Sequence, residues 1–460
     1  MTDARLAALA ARLPNLRLLT DPAELEHYGR DWTRRWTPAP LAIALPGEID
    51  EVQAVVHWAN EHEVALVPSG GRTGLSGGAV AANGELVLSL ERMKRVLAFD
   101  AVDRTLTVQA GITLHAVHEA AKEHGLLYPV DFAARGSCSI GGNIATNAGG
   151  IRVIRYGNTR EWIAGLTVVA GNGELLQLNR GLIKNSSGYD LRQLMIGSEG
   201  TLGIVLEASL RLTDPAPSSQ VMLLAVPSMA ALMEVFALFR SRLTLQAFEF
   251  FTDVALRHVL AHGAQRAIDG DHAYYVVTEF DADEAAQDAA LAAFEQGLDH
   301  GWISDGVIAQ SEAQAAALWR LREGITESLA PHRPYKNDIS LRISALPAFL
   351  HEIQALLSRE YPHFEVVWFG HIGDGNLHIN VLRPDDLSDA DFIAQCEHVT
   401  KLLADTLQRH GGSISAEHGI GLVKRAYLGS TRGEAEIALM RGVKQVFDPK
   451  GLLNPGKLFA

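Results

Sequence analysis

Residues 68–78 read Pro68-Ser69-Gly70-Gly71-Arg72-Thr73-Gly74-Leu75-Ser76-Gly77-Gly78, and five of these eleven are glycine. They follow Val64-Ala65-Leu66-Val67, a short apolar run of the kind that forms a buried strand. Glycine at this density permits positive φ and brings backbone N–H groups close to a ligand. Successive inward-facing N–H groups suit an oligoanion such as a pyrophosphate. The spacing is neither G-x-G-x-x-G nor G-x-x-x-x-G-K-[ST], so the Rossmann and P-loop versions of that device are excluded. Taken alone, the stretch is equally compatible with a tight surface loop.

A second stretch favours the ligand. Gly136-Ser137-Cys138-Ser139-Ile140-Gly141-Gly142-Asn143-Ile144-Ala145-Thr146-Asn147-Ala148-Gly149-Gly150 is again glycine and small residues, with no charge inside it. Two such loops suggest two walls of one long, narrow cleft. Together with Ile196-Gly197-Ser198-Glu199-Gly200-Thr201-Leu202-Gly203-Ile204, they resemble the flavin-binding domain of the FAD-linked oxidases, the vanillyl-alcohol-oxidase or PCMH superfamily. Phe447-Asp448-Pro449 and Leu453-Asn454-Pro455-Gly456-Lys457 extend the likeness to the C-terminal region, where the family's tail returns to the flavin domain.

The resemblance implies an α+β fold: a PCMH-type FAD-binding domain of two α+β subdomains, and a cap domain whose antiparallel sheet is covered by helices. It implies FAD contacts from Ser69, Gly70, Gly71, Arg72, Thr73, Gly74, Ser76, Gly77 and Gly78 on the first loop. The second loop would add Ser137, Gly141, Gly142, Ala145, Thr146, Asn147 and Gly149, with Glu199, Gly200, Ile204 and Asn454 beyond it. Members that bind FAD covalently carry a histidine just after the paired glycines of the first loop. Here Arg72 holds that place, which implies non-covalent FAD.

At 460 residues the chain has length for two domains or more. A formal net charge of −14, with no basic run to offset it, argues against a nucleic-acid partner. The two cysteines, Cys138 and Cys396, lie too far apart in sequence for a disulfide framework and fit a reducing, cytoplasmic setting. Met1-Thr2-Asp3-Ala4-Arg5 leads into a Leu/Ala repeat without a secretory apolar core. The most apolar window, 221–239, is broken by Pro227 and carries Glu234, so it reads as strand then helix and no transmembrane segment is expected.

In order, 1–28 reads as helical, 41–45 as a strand, and 50–62 as a helix with Val52, Val55, Val56 and Ala59 on one face. With strand 64–67 these make a βαβ unit. Strands follow near 86–90, 95–99 and 105–109, a helix at 114–124, and a hairpin around Gly171-Asn172-Gly173-Glu174. Asp214-Pro215-Ala216-Pro217 marks the expected boundary of a flavin domain over 1–214. Beyond it, to 420, strands and helices alternate, ending in a long helix 311–330, as in an antiparallel sheet with helices on one face. Residues 421–460 form the returning segment.

Two histidines stand seven apart in Gly370-His371-Ile372-Gly373-Asp374-Gly375-Asn376-Leu377-His378-Ile379-Asn380. Asp374-Gly375 favours a two-residue type I′ turn, which sets His371 directly opposite His378. Opposed residues have Cβ atoms ~4.5–5.5 Å apart, near enough for two imidazoles to share one ion. Asn380 points from the same face. Ser415-Ala416-Glu417-His418-Gly419 offers an acid and a further histidine, whose side chains diverge in an extended chain. Two His and a carboxylate suit Zn²⁺ first, with Mn²⁺ or Fe²⁺ as alternatives. In the 2-hydroxy-acid dehydrogenases of the superfamily the H-x6-H pair and the Glu bind metal and the next His is the base. That resemblance assigns His371, His378 and Glu417 to the metal and His418 to proton transfer.

Arg322 lies inside the apolar stripe Leu318, Leu321, Ile325 and Leu329, with Thr326 one turn on. It either pairs with a structural carboxylate or reaches a substrate carboxylate. Lys336 would add a second positive charge. The same resemblance assigns Arg322, Thr326, Lys336 and Asn380 to substrate binding. It implies oxidation of a D-2-hydroxy acid, D-2-hydroxyglutarate first, with D-lactate, glycolate and D-malate as alternatives. An electron-transfer flavoprotein or a quinone is the acceptor it implies. A homodimer is left open. Alkyl transfer on the same flavin fold would not need the Glu-His constellation. A non-flavin iron oxygenase would leave both glycine loops unexplained.

Overall fold

A computed structural model describes residues 3–459, so Met1 and Thr2 of the leader reading lie outside it. The chain folds into two units. The first comprises the residues up to Gly149, then Gly157–Pro215 and the chain from Glu417; the second comprises Gly150–Tyr156 and Ala216–Ala416.

The first unit contains two sheets. One is built from β1 (Arg17–Leu19), β2 (Ala42–Leu45), β3 (Leu66–Ser69) and β4 (Leu86–Ser89), in the order β1-β2-β4-β3. β2 and β3 both run parallel to β4, which lies between them, so the expected βαβ neighbours are not adjacent. β2 and β4 are buried at every position, which is why each reads as an unbroken apolar run. Helix Ile49–His62 buries Val52, Val55, Val56 and Ala59 against them, the face the spacing marks. The region 1–28 is not helical throughout. Pro14 ends the first helix, β1 pairs antiparallel with β2, and Asp21 caps a second helix, Pro22–Tyr28.

The second sheet takes β5 (Val96–Asp100), β6 (Thr105–Gln109), β7 (Ile163–Ala170), β8 (Leu175–Leu178) and β9 (Gly203–Arg211) in the order β5-β6-β9-β7-β8. All its pairs are antiparallel.

The second unit is one antiparallel sheet. Its strands are β10 (Ser219–Val226), β11 (Leu245–Thr252), β12 (Tyr274–Asp281), β13 (Asp305–Ile308), β14 (Tyr335–Ser340), β15 (Val366–Gly370) and β16 (Asn376–Val381). They lie in the order β13-β10-β12-β11-β15-β16-β14. Helices cover both faces rather than one. Phe251 and Phe369 pack with Leu256, Leu321 and Ile325 on one side, while Phe248 meets Phe236 edge-on on the other. The long helix expected over 311–330 is two, Glu312–Glu323 and Ile325–Leu329, joined at Gly324. The excursion Gly150–Tyr156 is anchored here by Arg152 to Glu279 at 3.3 Å and Arg155 to Asp281 at 3.1 Å. Among the described residues no helix is long and apolar enough to cross a membrane.

Candidate functional site

The glycine loops of the first unit come first. β3 ends at Ser69 and the chain enters the loop, where Arg72 takes φ +57°. A Cβ on Gly70 would sit 2.1 Å from Ser139 Oγ, and one on Gly71 would sit 2.0 Å from the Ser137 carbonyl oxygen. These two glycines therefore let the first loop press against the second. Gly74 and Gly136 border open space, with nothing within 4 Å of a Cβ there. Ser69 Oγ and Asn143 Nδ2 are buried without a hydrogen-bond partner. Backbone bordering open space, with two unsatisfied buried polar groups nearby in the chain, suits a polar cofactor such as FAD.

The arginine in the covalent-histidine position packs on the ring of Tyr28. Arg72 lies 4.4 Å over the Tyr28 ring and 3.1 Å from His27 Nε2, and donates to the Gly70 carbonyl at 3.3 Å. Thr73 borders the same loop, and Ser76 and Gly77 form its far end. The Ser76 carbonyl accepts from Leu422 and Val423, and Gly77 N–H donates to Asp31 at 2.8 Å. In the second loop Gly141 approaches Ala110 and Asn147 takes φ +50°, accepting from Arg160 N–H. Gly142, Ala145 and Thr146 belong to helix Ile140–Thr146, and Gly149 closes the segment before the chain leaves for the second unit.

Two other expected flavin residues have different surroundings. Ile204 is buried inside β9, opposite Val169 of β7. The Glu199 carboxylate accepts from Ile420 N–H and Gly421 N–H, both at 2.8 Å. It thereby holds the loop that begins with Glu417 and His418. Burial pushes Glu199 up to about 7, against the two N–H donors that favour its ionised form. Asn454, with φ +47°, ties the C-terminal segment to the rest: its Nδ2 donates to the carbonyls of Gly78 and Glu199. Gly200, at φ +68°, follows Glu199 in the same left-handed turn.

The second unit presents side chains. β15 and β16 do not meet in a two-residue turn. Phe369 faces His378, and residues 371–375 form a longer loop. Asp374 lacks the positive φ a type I′ turn needs; instead Asp374 N–H donates to the His371 carbonyl, and Asn376 N–H to Asp374 Oδ1. Gly373 N–H docks the loop on the Phe248 carbonyl of β11 at 3.1 Å. The register differs from the expected one by two residues, which preserves the face. His371 and His378 still meet, diagonally, with ring centroids 5.2 Å apart at 82°.

Along that face β14 places Lys336 opposite Asn380 and Asp338 opposite His378. His378 Nδ1 lies 3.7 Å from Asp338 Oδ1, and His371 Nδ1 bonds Glu249 Oε1 at 2.8 Å. Glu417 is one peptide beyond Ala416, where the chain leaves this unit. Two imidazoles meeting on one face can close on one ion with bonds of ~2.0–2.1 Å.

Arg322 is 6 % exposed and its Nη2 lies 2.8 Å from Glu249 Oε2. The pair lacks the alignment of a hydrogen bond, so Arg322 Nε and Nη2 keep their donor capacity. Thr326, on the following short helix, is exposed. Lys336 has no anionic partner among the described residues, and burial alone pushes its ammonium below the ordinary lysine range. Asn380 is buried at its side. Glu249 and Asp338 were not marked by spacing or motif. The signal for Glu249 was available: it is the lone charge in Leu245-Gln246-Ala247-Phe248-Glu249-Phe250-Phe251, an otherwise uncharged and mostly apolar strand.

Residues 216–458 match the model for the FAD linked oxidases, C-terminal domain, and residues 40–179 that for an FAD binding domain. The chain is 74% identical over 460 residues to a D-2-hydroxyglutarate dehydrogenase of Xanthomonas citri pv. viticola, covering 100% of this chain and 98% of that one. It is 52% identical over 446 residues to a D-2-hydroxyglutarate dehydrogenase of Stutzerimonas stutzeri, covering 96% of each. The solved structure of 4-ethylphenol oxidase from Gulosibacter chungangensis superposes with a TM-score of 0.76 at 17% identity, over 99% of this chain and 96% of that one. At such identity the likeness concerns the fold alone.

Proposed function

Because the chain belongs to the FAD-linked oxidases and is an FAD-dependent oxidoreductase, we propose that it oxidises D-2-hydroxyglutarate to 2-oxoglutarate at a site that also uses a divalent metal. One observation carries the choice of a dicarboxylate. Lys336 is half-buried on the same sheet face as His378 and Asn380 with no counter-charge of its own. A buried ammonium left unpaired is costly. A second substrate carboxylate supplies the partner, and the uncommitted Nε donor of Arg322 supplies a charge-assisted hydrogen bond to it. Lactate, which ends in a methyl, would leave Lys336 without a counter-charge.

Bound FAD supplies the acceptor for the hydride that leaves C2. A Zn²⁺, Mn²⁺ or Fe²⁺ ion held by His371, His378 and Glu417 supplies a Lewis acid for the C1 carboxylate and the 2-hydroxyl. Asn380 orients the substrate beside His378, and Thr326 adds a hydroxyl near the distal carboxylate. His418 takes the hydroxyl proton as the C2–O bond becomes a carbonyl. Its place directly after Glu417 in the sequence supports that role. The loop fixed by Glu199 keeps the base and the carboxylate ligand in place together.

The test is kcat/KM across 2-hydroxyglutarate, malate, lactate and glycolate in the native enzyme and in Arg322→Ala. Dicarboxylates should lead, and the substitution should damage 2-hydroxyglutarate turnover much more than lactate turnover. Equal losses would refute the carboxylate clamp and leave Arg322 as the structural partner of Glu249. In His418→Ala, flavin reduction should slow by ~10²–10⁴-fold with metal and FAD retained.

A further inference from the structure

We infer that Glu249 is a positioning residue that sets the metal-facing imidazole and the substrate-facing guanidinium with one carboxylate. It stands in β11, whose register against β15 pairs Phe250 with Gly370 and so brings Glu249 beside His371. Its side chain is 1% exposed. Each oxygen has a separate task. Oε1 lies 2.8 Å from His371 Nδ1, and Oε2 lies 2.8 Å from Arg322 Nη2.

The first contact fixes a tautomer. A carboxylate only accepts, so the proton of the neutral imidazole sits on Nδ1 and the lone pair is left on Nε2. That is the nitrogen an ion requires, and a carboxylate behind a ligating histidine also holds the ring's orientation. The second contact fixes a charge. Arg322 is clamped from one side by Glu249, while its guanidinium carbon lies 4.9 Å over the Phe369 ring. With Nη2 held there, the guanidinium has one orientation in which to meet an acid.

The two contacts share one rigid support, because Glu249 and Phe369 belong to neighbouring strands of one sheet. Cation affinity and the preference for a second carboxylate are therefore linked through this side chain. A residue that only balanced the charge of Arg322 would affect stability and neither of these. The inference rests on the metal reading above, and its test separates the two.

Zinc is titrated into FAD-loaded, chelator-stripped protein, native and Glu249→Gln, and bound zinc is measured after dialysis. The dissociation constant should rise by ~10–100-fold in the variant, the usual effect of losing a carboxylate behind a ligating histidine. The ratio of kcat/KM for 2-hydroxyglutarate over lactate should fall in the same protein. Glu249→Asp keeps the charge but is one methylene too short to span both partners. It should recover the thermal stability without recovering zinc affinity, and it decides the matter if Glu249→Gln does not fold. Native-like zinc affinity in the variants, with zinc bound tightly by the native protein, would overturn the inference and leave the proposed function standing. A native protein that binds no zinc, manganese or iron would overturn the metal reading and this inference with it.

Discussion

Two surfaces of this chain are prepared for ligands by opposite means. In the glycine loops of the first unit the wall is main chain. Gly70 and Gly71 cannot carry a Cβ because another loop's atoms already lie 2.1 and 2.0 Å from where it would be, while Gly74 faces open space. On the sheet of the second unit the wall is the ends of long side chains: His371, His378, Arg322 and Lys336, on buried strands and a buried helix face. The first surface is sensitive to what is added, the second to what is removed.

Crossed substitutions should break the comparison if it is wrong. His378→Ala should abolish turnover, a loss beyond ~10³-fold given the several kcal/mol a Lewis acid supplies, yet leave the protein yellow with FAD. Gly71→Ala should do the reverse, with FAD lost and a cost of about 3 kcal/mol from a Cβ forced against a carbonyl. Gly74→Ala, with nothing to strike, should fold within ~0.5 kcal/mol of native. Flavin absorbance and metal analysis on the three proteins decide it. A colourless His378→Ala protein would show that the two surfaces are not separable.

A middle-sized effect sharpens the contrast. The Lys336 ammonium is disfavoured by burial, so Lys336→Met should raise the melting temperature while lowering kcat/KM for 2-hydroxyglutarate by ~10–100-fold. Loss of stability with unchanged kinetics would mean the ammonium serves the fold. No such trade is expected at the glycine loops, where backbone shape serves both purposes.

A further effect concerns pH. Burial raises Glu199 from its ordinary 4.5 to about 7, so between those values the folded state keeps a proton that the unfolded chain has released. Its stabilising share is whole below 4.5 and declines as pH rises to 7, by about 1.4 kcal/mol per pH unit. Glu199→Gln should flatten that slope in melting curves taken from pH 4 to 8. An unchanged slope would assign the pH dependence to other groups.

The same contrast decides what the sequence discloses. A wall of main chain must be written as composition, so 68–78 and 136–150 are visible at once. A wall of side chains depends on pairing. His371 and His378 were found through a turn that does not form, and they meet because a two-residue offset in register leaves both on the original face. Glu249 is 122 residues from His371 and no spacing rule joins them. Likewise the sequence around Glu199 marks only its place in the flavin motif, while its carboxylate also reaches Ile420 and Gly421, over 200 residues on. Long-range partners of that kind are settled by strand order, and the insertion of β4 between β2 and β3 was itself not legible.

Asn454 adds a matter of timing. The carbonyl of Leu66 at the root of the first glycine loop accepts from Asn454 N–H at 2.7 Å, and Leu66 N–H donates to Leu452. Asn454 Nδ2 then reaches Gly78 and Glu199. During synthesis residues 66, 78 and 199 leave the ribosome long before 454 does. The loops must wait, unclasped, through the making of the whole second unit. A nascent chain stalled short of residue 454 lacks this clasp and should hold flavin less tightly than the full chain.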